Sequence, residues 1–440
     1  MRITIVALNA FPLIEPGTGR NIGGLETFAW NLAQGLAGNE FDQIQFLVRS
    51  EYACNSRKHQ GVQVDFIHEP CREIRQRVSK AIEIDSARKM PKIKALKLGL
   101  LWKIPLLAFR KVFFPRYSEA KSMAVAVERF DPDAIVTLGV NQTSTILGEL
   151  ARDRNIPIAL WLQSNADLNR NLFEKVGFVD RYGVRSEHAQ ACLRLCRNIV
   201  CQTTTQFHRL NEMECVQSDS QTQPVRANHI PNPIDTSVFR SAETSPDHRH
   251  GVLWIGRADR FHKRPHLALE IAARCTDIPF TMILNPSEDA VYREMLDARP
   301  PNVAIVDFVP ASEMSKRMSS AWLFLSTGSA DYEGFPNVFL EASASGTPIV
   351  SLEDFDEFLA RSGGGLSGGG RIDQVVEYIL RLHTSPTVWM QLSRNSRTYV
   401  CEHHDRTAVV QKFRKWLESL VSPNGLETTV SKGRAQHRPG

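Results

Sequence analysis

The sequence predicts an α/β protein of two consecutive doubly wound domains. Short Val/Ile-rich runs, apolar on both faces, alternate with helix-like stretches from end to end. That is the pattern of parallel strands buried between helices. The alternation pauses at a polar stretch near residues 233–250 and then restarts, so two βαβ series follow one another. A length of 440 residues suits two or three domains of ~150 residues each.

In the first half the expected strands are Ile3–Leu8, Ile44–Val48, Val62–Ile67, Ala134–Leu138, Ile158–Leu162 and Ile199–Gln202. In the second they are Val252–Ile255, Phe280–Leu284, Val303–Val309, Trp322–Leu325 and Ile349–Leu352. Ser241–His250 carries a proline and no apolar period, and reads as the linker. The expected division is therefore a first domain over 1–240, a second over 250–385, and C-terminal helices over 386–420 that pack back on the first. Ala408–Leu420 places Val409, Phe413, Trp416 and Leu420 on one helix face. Residues 421–440 lack aromatics and are expected to be a disordered tail.

Composition excludes several classes. The chain is 42% apolar and 23% charged, near the globular average, with 26 Gly and 23 Pro, so it is neither collagen-like nor broadly disordered. A net charge of +5 is too mild at this length to argue for nucleic acid. No apolar run is long enough to span a membrane. MRITIVALNA reads as a first strand rather than a signal peptide, and a cytoplasmic location is expected. Eight cysteines make no disulfide framework, and Cys192, Cys196 and Cys201 lack zinc-site spacing. They are expected to be small buried hydrophobes.

One segment departs from this average. Arg72–Lys121 holds 14 Lys/Arg against 4 Asp/Glu, a local +10 that leaves −5 on the rest. Trp102, Phe109, Phe113 and Phe114 stand among the cations. Such a stretch suits an anionic membrane surface. A helix pair lying on the sheet with solvated lysines is the alternative.

Chemistry concentrates in Asp331–Thr347, DYEGFPNVFLEASASGT, which follows an apolar strand. Glu333 and Gly334 form a turn, Pro336 suits the first position of a helix, and Asn337–Ser345 continues as helix. The N–H groups of Asn337, Val338 and Phe339 would point out of the helix start, where phosphate or sugar oxygens bind. Glu333 and Glu341 can face one crevice at the carboxyl edge of the sheet and accept from sugar hydroxyls. A second signal, Gly256-Arg257-Ala-Asp-Arg-Phe-His-Lys263, joins the first strand of the second domain to its helix. A fixed guanidinium and a mobile ammonium there suit a diphosphate, with Arg260 and Arg264 as nearby competitors. A third, Gly23-Gly24-Leu-Glu26, lies between the first strand and helix of the chain. Paired glycines admit a ligand to a helix start, and Glu26 is expected to tie that start down.

E-G-F-P-N-x-x-x-E-A resembles the E-x7-E motif of the retaining family 4 glycosyltransferases, which have the GT-B fold. The resemblance implies two Rossmann-like domains facing across a cleft. It implies that Glu341 binds the ribose of a nucleotide and that Glu333 lies beside the donor sugar. The segment from Gly256 resembles the family's G-R-x5-6-K, whose Arg and Lys (here Arg257 and Lys263) bind the donor phosphates. Gly23-Gly24-x-Glu26 resembles the G-G-x-E that faces the cleft opposite the donor. Asn232-Pro-Ile-Asp235 resembles the family's interdomain N-P-x-D, and Gly363–Gly365 with Gly368–Gly370 the Gly-rich loop after E-x7-E. Members often carry His after the strand matched by Ile158–Leu162. Here the text is WLQSNADLN, so Gln163, Ser164, Asn165 and Asp167 fill that place and could take sugar hydroxyls.

The expected activity is therefore transfer of a sugar from a nucleoside-diphosphate sugar to a lipid-linked or saccharide acceptor, with retention. Glu333, Arg257 and Lys263 form the expected catalytic set. Glu341, Gly334, Phe335, Asn337, Val338, Gly23, Gly24, Gly256, Asn165 and Asp167 form the substrate-binding set. On this reading the leaving phosphate takes the acceptor's proton, and Glu333 orients the donor rather than acting as nucleophile. No cofactor or metal is expected. Asp131-Pro-Asp133 and Asp354-Phe-Asp356 spell D-x-D but lack the context of a manganese-binding transferase. In family members that act on lipid-linked acceptors the N-terminal domain meets the membrane, so a peripheral position on its inner face is expected through residues 72–121. The rivals are a nucleotide-sugar epimerase or sugar-phosphate synthase on the same scaffold, and a catalytically silent binding protein. A dinucleotide oxidoreductase is disfavoured, since no G-x-G-x-x-G joins the first strand and helix.

Overall fold

The computed structural model describes residues 1–15, 23–39, 42–50, 54–68, 82–85, 90–93, 105, 119–213, 224–239 and 245–422. The basic segment Arg72–Lys121 lies outside the described residues except for the backbone of a small hairpin, Pro105 and the start of the helix at Glu119. So does the expected tail beyond Ser422.

The first domain is built on β1 (Arg2–Val6), β2 (Gln43–Ser50), β3 (Arg57–His59) and β4 (Val62–His68). Among the described residues the hairpin strands β5 (Ile82–Asp85) and β6 (Met90–Ile93) pair only with each other. Then come β7 (Ala134–Leu138), β8 (Ile158–Trp161), β9 (Asn198–Cys201) and β10 (Arg226–His229). The eight-stranded sheet runs β10-β9-β8-β7-β1-β2-β4-β3, parallel except for β3. The second domain holds β11 (His250–Arg257), β12 (Phe280–Asn285), β13 (Val303–Val306), β14 (Ala321–Ser326), β15 (Ile349–Ser351) and β16 (Gly365–Ser367). Its six strands are all parallel in the order β13-β12-β11-β14-β15-β16.

Both sheets thus grow outward from their first strand and then reverse. The reversals fall between β1 and β7 and between β11 and β14. At such points the loops of neighbouring strands diverge and leave a crevice at the carboxyl edge. β13 ends at Val306, short of the expected Val309, because Asp307 interrupts the apolar run.

The cores follow from the two-faced apolarity of the central strands. Ile3, Ile5, Phe46, Val64, Val136 and Trp161 meet the helix Gly24–Ala37 on one face of the first sheet, and Ile135, Leu160 and Ile199 meet other helices on the opposite face. In the second domain Trp254, Phe280, Leu323 and Val350 pack in one cluster, and Leu253, Phe324 and Ile349 in another.

The C-terminal helices divide their loyalties. Pro386–His403 buries Trp389 and Leu392 in the second domain, which corrects the expectation that it packs on the first. Arg406–Val421 instead seats Val409, Val410, Phe413, Leu417 and Leu420 in the core of the first. The return crossing lies beside the outward one. Ile234 N donates to His404 O at 2.9 Å, Arg406 N to Ile234 O at 3.0 Å, and Arg406 pairs with Asp235 at 2.8 Å. Burial pushes the His404 pKa down to about 4, and its Nδ1–H donates to Asn232 O at 2.9 Å.

Phe413 is fully buried, with its ring 4.8 Å from Trp161, which in turn lies 4.8 Å from Phe28. Phe413→Ala is expected to destabilise the first domain by about 3–5 kcal/mol. Chemical denaturation read by tryptophan fluorescence checks this; an unchanged midpoint would show that the last helix does not complete that core.

Candidate active site

β11 ends in Arg257 at the reversal of the second sheet, and the turn that follows is pinned from within. Asp259, buried, accepts through Oδ1 from His262 N (2.7 Å) and Lys263 N (2.8 Å). A Cβ on Gly256 would meet the Trp254 ring at 2.6 Å and Lys263 Cβ at 3.0 Å, so glycine lets the turn lie against the strand. Beyond β14, Thr327 Oγ1 donates to Lys263 O at 2.7 Å and Ser329 N to His262 O at 2.9 Å. The basic turn and the Glu333 loop are thereby joined edge to edge.

These contacts bring Glu333 into a cluster of cations and donors. Its Oε2 lies 2.5 Å from Lys263 Nζ and 2.7 Å from His262 Nε2. Burial alone would raise its pKa, but the Lys263 ammonium and His262 outweigh it and hold the carboxyl well below the ordinary range. Its Oε1 has no donor among the described residues. His262 Nδ1 in turn lies 2.9 Å from Arg257 Nη2. Among the described residues Arg257 is otherwise held only by a 3.5 Å ion pair to Asp259, and its side chain is 44% exposed. It is the available cation of the cluster. Both competitors are engaged elsewhere: Arg260 pairs with Glu294, and Arg264 bonds to Thr327 O (2.6 Å), Gly328 O and Glu353 (2.5 Å).

Glu341 lies on the helix Asn337–Ala344. Burial pushes its carboxyl up to about 7, with Lys263 pulling the other way. No described residue donates a hydrogen bond to it. At the start of the same helix the N–H groups of Asn337 and Val338 have no acceptor among the described residues. The Phe339 N–H, expected to be free, donates to Pro336 O at 2.9 Å.

Several expected ligand contacts prove to be contacts between the domains. Asn337 donates through Nδ2 to Gly24 O (3.0 Å) and accepts from Asn232 Nδ2 (2.9 Å), so Gly24 serves the interface through its carbonyl. A Cβ on Gly334 would lie 2.1 Å from Gln202 Nε2 and 2.8 Å from Gln163 O, so the glycine there lets the first domain approach. Phe335 turns into an aromatic cluster with Phe339, Phe358 and His404. The segment in place of the family's histidine is also engaged. Ser164 Oγ donates to Tyr332 O, and Asn165 Nδ2 to Ala330 O at 2.8 Å. Asp167 is half-buried and accepts from the backbone N–H groups of Gln163, Ser164 and Val140 at 2.7, 3.0 and 3.1 Å. These bonds shape its own loop. Gly23 N donates to Glu26 Oε2 at 3.0 Å, which ties down that helix start.

Both D-x-D pairs are committed. Asp131 and Asp133 bind Arg2, Asp354 accepts from Leu359 N and Ala360 N, and Asp356 binds Thr204, Thr205 and Arg361. Among the described residues no group of three or more His, Cys, Asp or Glu is placed to hold a metal ion, and no helix is long and apolar enough to cross a membrane. Sequence reasoning passed over His262, Asp259 and Tyr182. Only the adjacency of His262 to Lys263 in the motif could have drawn attention to it.

Two basic groups, an ionised carboxylate and an unpartnered one thus meet at the carboxyl edge of a doubly wound sheet. Residues 249–385 match the family Glycosyl transferases group 1. Solved structures resemble the whole chain. A sucrose-phosphate synthase from Thermosynechococcus elongatus superposes with a TM-score of 0.66 at 12% identity, covering 96% of this chain and 100% of that one. The chain has the GT-B fold. Anabaena HepE in complex with UDP-glucose gives 0.64 at 12% identity, over 95% of this chain and 100% of that one. A variant of S. aureus TarM in complex with UDP and alpha-GlcNAc-glycerol gives 0.64 at 12%, again over 95% and 100%. No curated protein matches the sequence.

Glu341 makes the folded GT-B chain sensitive to pH. Its folded pKa of about 7 exceeds the ordinary 4.5, so the native state holds the proton more tightly than the unfolded chain. The stability this gives is complete below pH ~4.5 and is lost as pH rises through about 7. Glu341→Gln cannot lose a proton. Relative to the parent it should gain stability between pH 5 and 8, by up to ~3 kcal/mol. Thermal unfolding of both proteins across that range checks this; parallel curves would mean that Glu341 is not buried as described.

Proposed function

We propose that the protein is a glycosyltransferase. It moves a sugar from a nucleoside-diphosphate sugar to an acceptor with retention of configuration. The observation that carries this reading is the cluster Arg257–His262–Lys263–Glu333 beside the unpartnered Glu341, within the stretch that matches the group 1 transferases. HepE and TarM, whose fold the chain shares, are seen with UDP or UDP-glucose.

In this reading the nucleotide lies along the second domain and Glu341 accepts from its ribose hydroxyls. The diphosphate meets Arg257, Lys263 and the free N–H groups of Asn337 and Val338. Its departing charge is stabilised by that fixed set, and a phosphate oxygen takes the acceptor's proton on the same face. Glu333, ionised and held at one oxygen, keeps the other for a donor-sugar hydroxyl. Gly334, Phe335 and Asn165 contact the rest of the protein and Asp167 its own loop, so Glu333 is the carboxylate with an oxygen left for the sugar. The reading needs no cofactor. The intact ionic cluster also favours an enzyme over a silent binding protein.

A thermal-shift panel of UDP, GDP, ADP and their sugars tests this. One base should stabilise the protein, by ~2.7 kcal/mol at 100 times its Kd. No shift with any of them overturns the reading. Glu341→Ala should weaken the cognate nucleotide by about 1.5–3 kcal/mol in calorimetry. Arg257→Ala and Lys263→Ala should each lower kcat more than they raise KM, because their charge matters most as the diphosphate leaves. Wild-type turnover at saturating donor would remove that residue from the mechanism.

The acceptor proposed is lipid-linked or saccharide, with the enzyme peripheral on the inner membrane face. This rests on the composition of residues 72–121. Each Lys or Arg near an anionic leaflet contributes about 1 kcal/mol. Co-sedimentation with anionic vesicles at low salt should therefore be lost at high salt, and lost when Lys92, Lys94, Lys97 and Lys103 become Glu. Equal sedimentation of both proteins would point to a soluble acceptor.

A further inference from the structure

Phe178–Ser186 of the first domain folds back on itself as a compact hairpin. Ser186 N donates to Phe178 O at 2.9 Å, and Val179 bridges Arg185. Asp180 Oδ1 accepts from Tyr182 N (2.9 Å) and Val184 N (2.7 Å), and Asp180 N donates to Val184 O (2.9 Å). The tip crosses to the second domain. The Tyr182 ring packs edge-on against Phe261 (5.7 Å) and Tyr332 (6.2 Å), and the Arg181 guanidinium lies over the same two rings at 5.4 and 5.7 Å. Phe261 and Tyr332 directly precede His262 and Glu333 in sequence. The Tyr182 hydroxyl comes to 3.2 Å from His262 Nδ1.

The hydrogen bonds around His262 favour one tautomer. Nε2 faces the ionised Glu333 carboxylate, which can only accept, so Nε2 carries the proton. In the neutral ring Nδ1 is then the acceptor, with one lone pair in the ring plane. Two donors converge on it, Arg257 Nη2 at 2.9 Å and Tyr182 OH at 3.2 Å. Tyr182 is 40% exposed, and a phenol holds its proton at neutral pH, so its hydroxyl can donate. On the transferase reading, Arg257 turns its fork to the diphosphate when donor binds. Tyr182 is then the donor left to Nδ1.

We propose that Tyr182 and His262 are positioning residues for the transfer. The Tyr182 hydroxyl, delivered from the other domain, holds His262 with its proton on Nε2 and so fixes Glu333 against the donor sugar once Arg257 has gone to the diphosphate. The contact exists only with the two domains together, so it ties the orientation of Glu333 to domain closure. It matters in the donor complex and not for the free nucleotide. This rests on the transferase reading above.

Side-chain geometry supplies the test. The amide nitrogen of glutamine takes the place of histidine Nε2, and asparagine takes that of Nδ1. Donor turnover is followed as nucleoside diphosphate released from UDP-glucose, GDP-mannose or ADP-glucose, whichever stabilises the protein, and UDP, GDP or ADP affinity by calorimetry. Tyr182→Phe should lower kcat about 3- to 10-fold, as for loss of one neutral hydrogen bond, with KM and nucleotide Kd unchanged. His262→Asn should lower kcat about 10- to 100-fold, and His262→Gln should recover most of it. In the His262→Gln background Tyr182→Phe should have no further effect. Equal losses for His262→Asn and His262→Gln, or a Tyr182→Phe effect that persists in the His262→Gln background, overturn the proposal. So does a Tyr182→Phe variant with wild-type kcat, or one whose KM, nucleotide affinity and melting temperature all change together. A wild-type protein that neither binds nor turns over any of the donors overturns the transferase reading itself, and this inference with it.

Discussion

Glu333 is an ionised carboxylate beside the contacts between the domains, with its side chain only 12% exposed. A charge so placed is costly unless it is paired and hydrogen-bonded. Lys263 and His262 meet that demand at one oxygen, and much of the surrounding structure serves to deliver them. Asp259 pins the turn that carries both, Gly256 lets the turn approach the strand, and Thr327 and Ser329 fasten it to the loop of Glu333. The first domain then fixes that loop from across the cleft, through Ser164 to Tyr332 O and Asn165 to Ala330 O. The carboxylate is thus held by residues of both domains, most of them distant from it in sequence.

The domains meet edge to edge because each sheet reverses its order at its first strand. Each reversal leaves loops at the carboxyl edge, and the two sets of loops face one another. Their meeting is polar. Asn337, Asn232, Gln202 and the Gly24 carbonyl form a chain of side-chain and backbone hydrogen bonds from one helix start to the other. Such an interface separates more readily than an apolar one, since water can replace its partners. The return helix Arg406–Val421 acts oppositely, burying an apolar face in the first core. The two chain crossings at Ile234 and Asp405 lie side by side and provide a permanent joint.

The parts of this arrangement legible in the sequence are those set by local periodicity. Central strands such as Ala134–Leu138 and Ala321–Ser326 are buried on both faces and therefore read as unbroken apolar runs. β10 (RANH) and β3 (RKH) lie at the sheet edges, pair on one side only, and can be polar, so nothing in their composition announced them. The motif residues Glu333, Glu341, Arg257 and Lys263 were legible because each has a fixed offset from a strand end. The partners of those residues were not. Tyr182 stands 80 positions from His262, and Ser164 stands 168 from Tyr332. Gly334 and Asn165 were visible as unusual residues, but a glycine required by a ligand and one required by a neighbouring domain look alike in a sequence. Arg260 and Arg264 could be separated from Arg257 only by seeing Glu294 and Glu353 occupy them.

Glu341 stands in contrast to Glu333. Both carboxylates lie half-buried on one short stretch of chain, and both feel Lys263, yet one lies far below the ordinary range and the other is raised to about 7. The difference is direct contact: Lys263 and His262 touch Glu333 and leave Glu341 with only a longer-range attraction. A half-buried carboxylate that no neighbour donates to is disfavoured by desolvation, so an amide of similar size would cost less there. Its position on the helix that begins with the free N–H groups of Asn337 and Val338 gives the groups a common logic. Each lacks a partner among the described residues, and each would find one in a ligand that offers hydroxyl donors to the carboxylate and anionic oxygens to the helix start. A ribose diphosphate has both in one molecule. On the transferase reading, the stability forgone at Glu341 in the empty protein is recovered when such a ligand binds, which makes the site selective for what completes it.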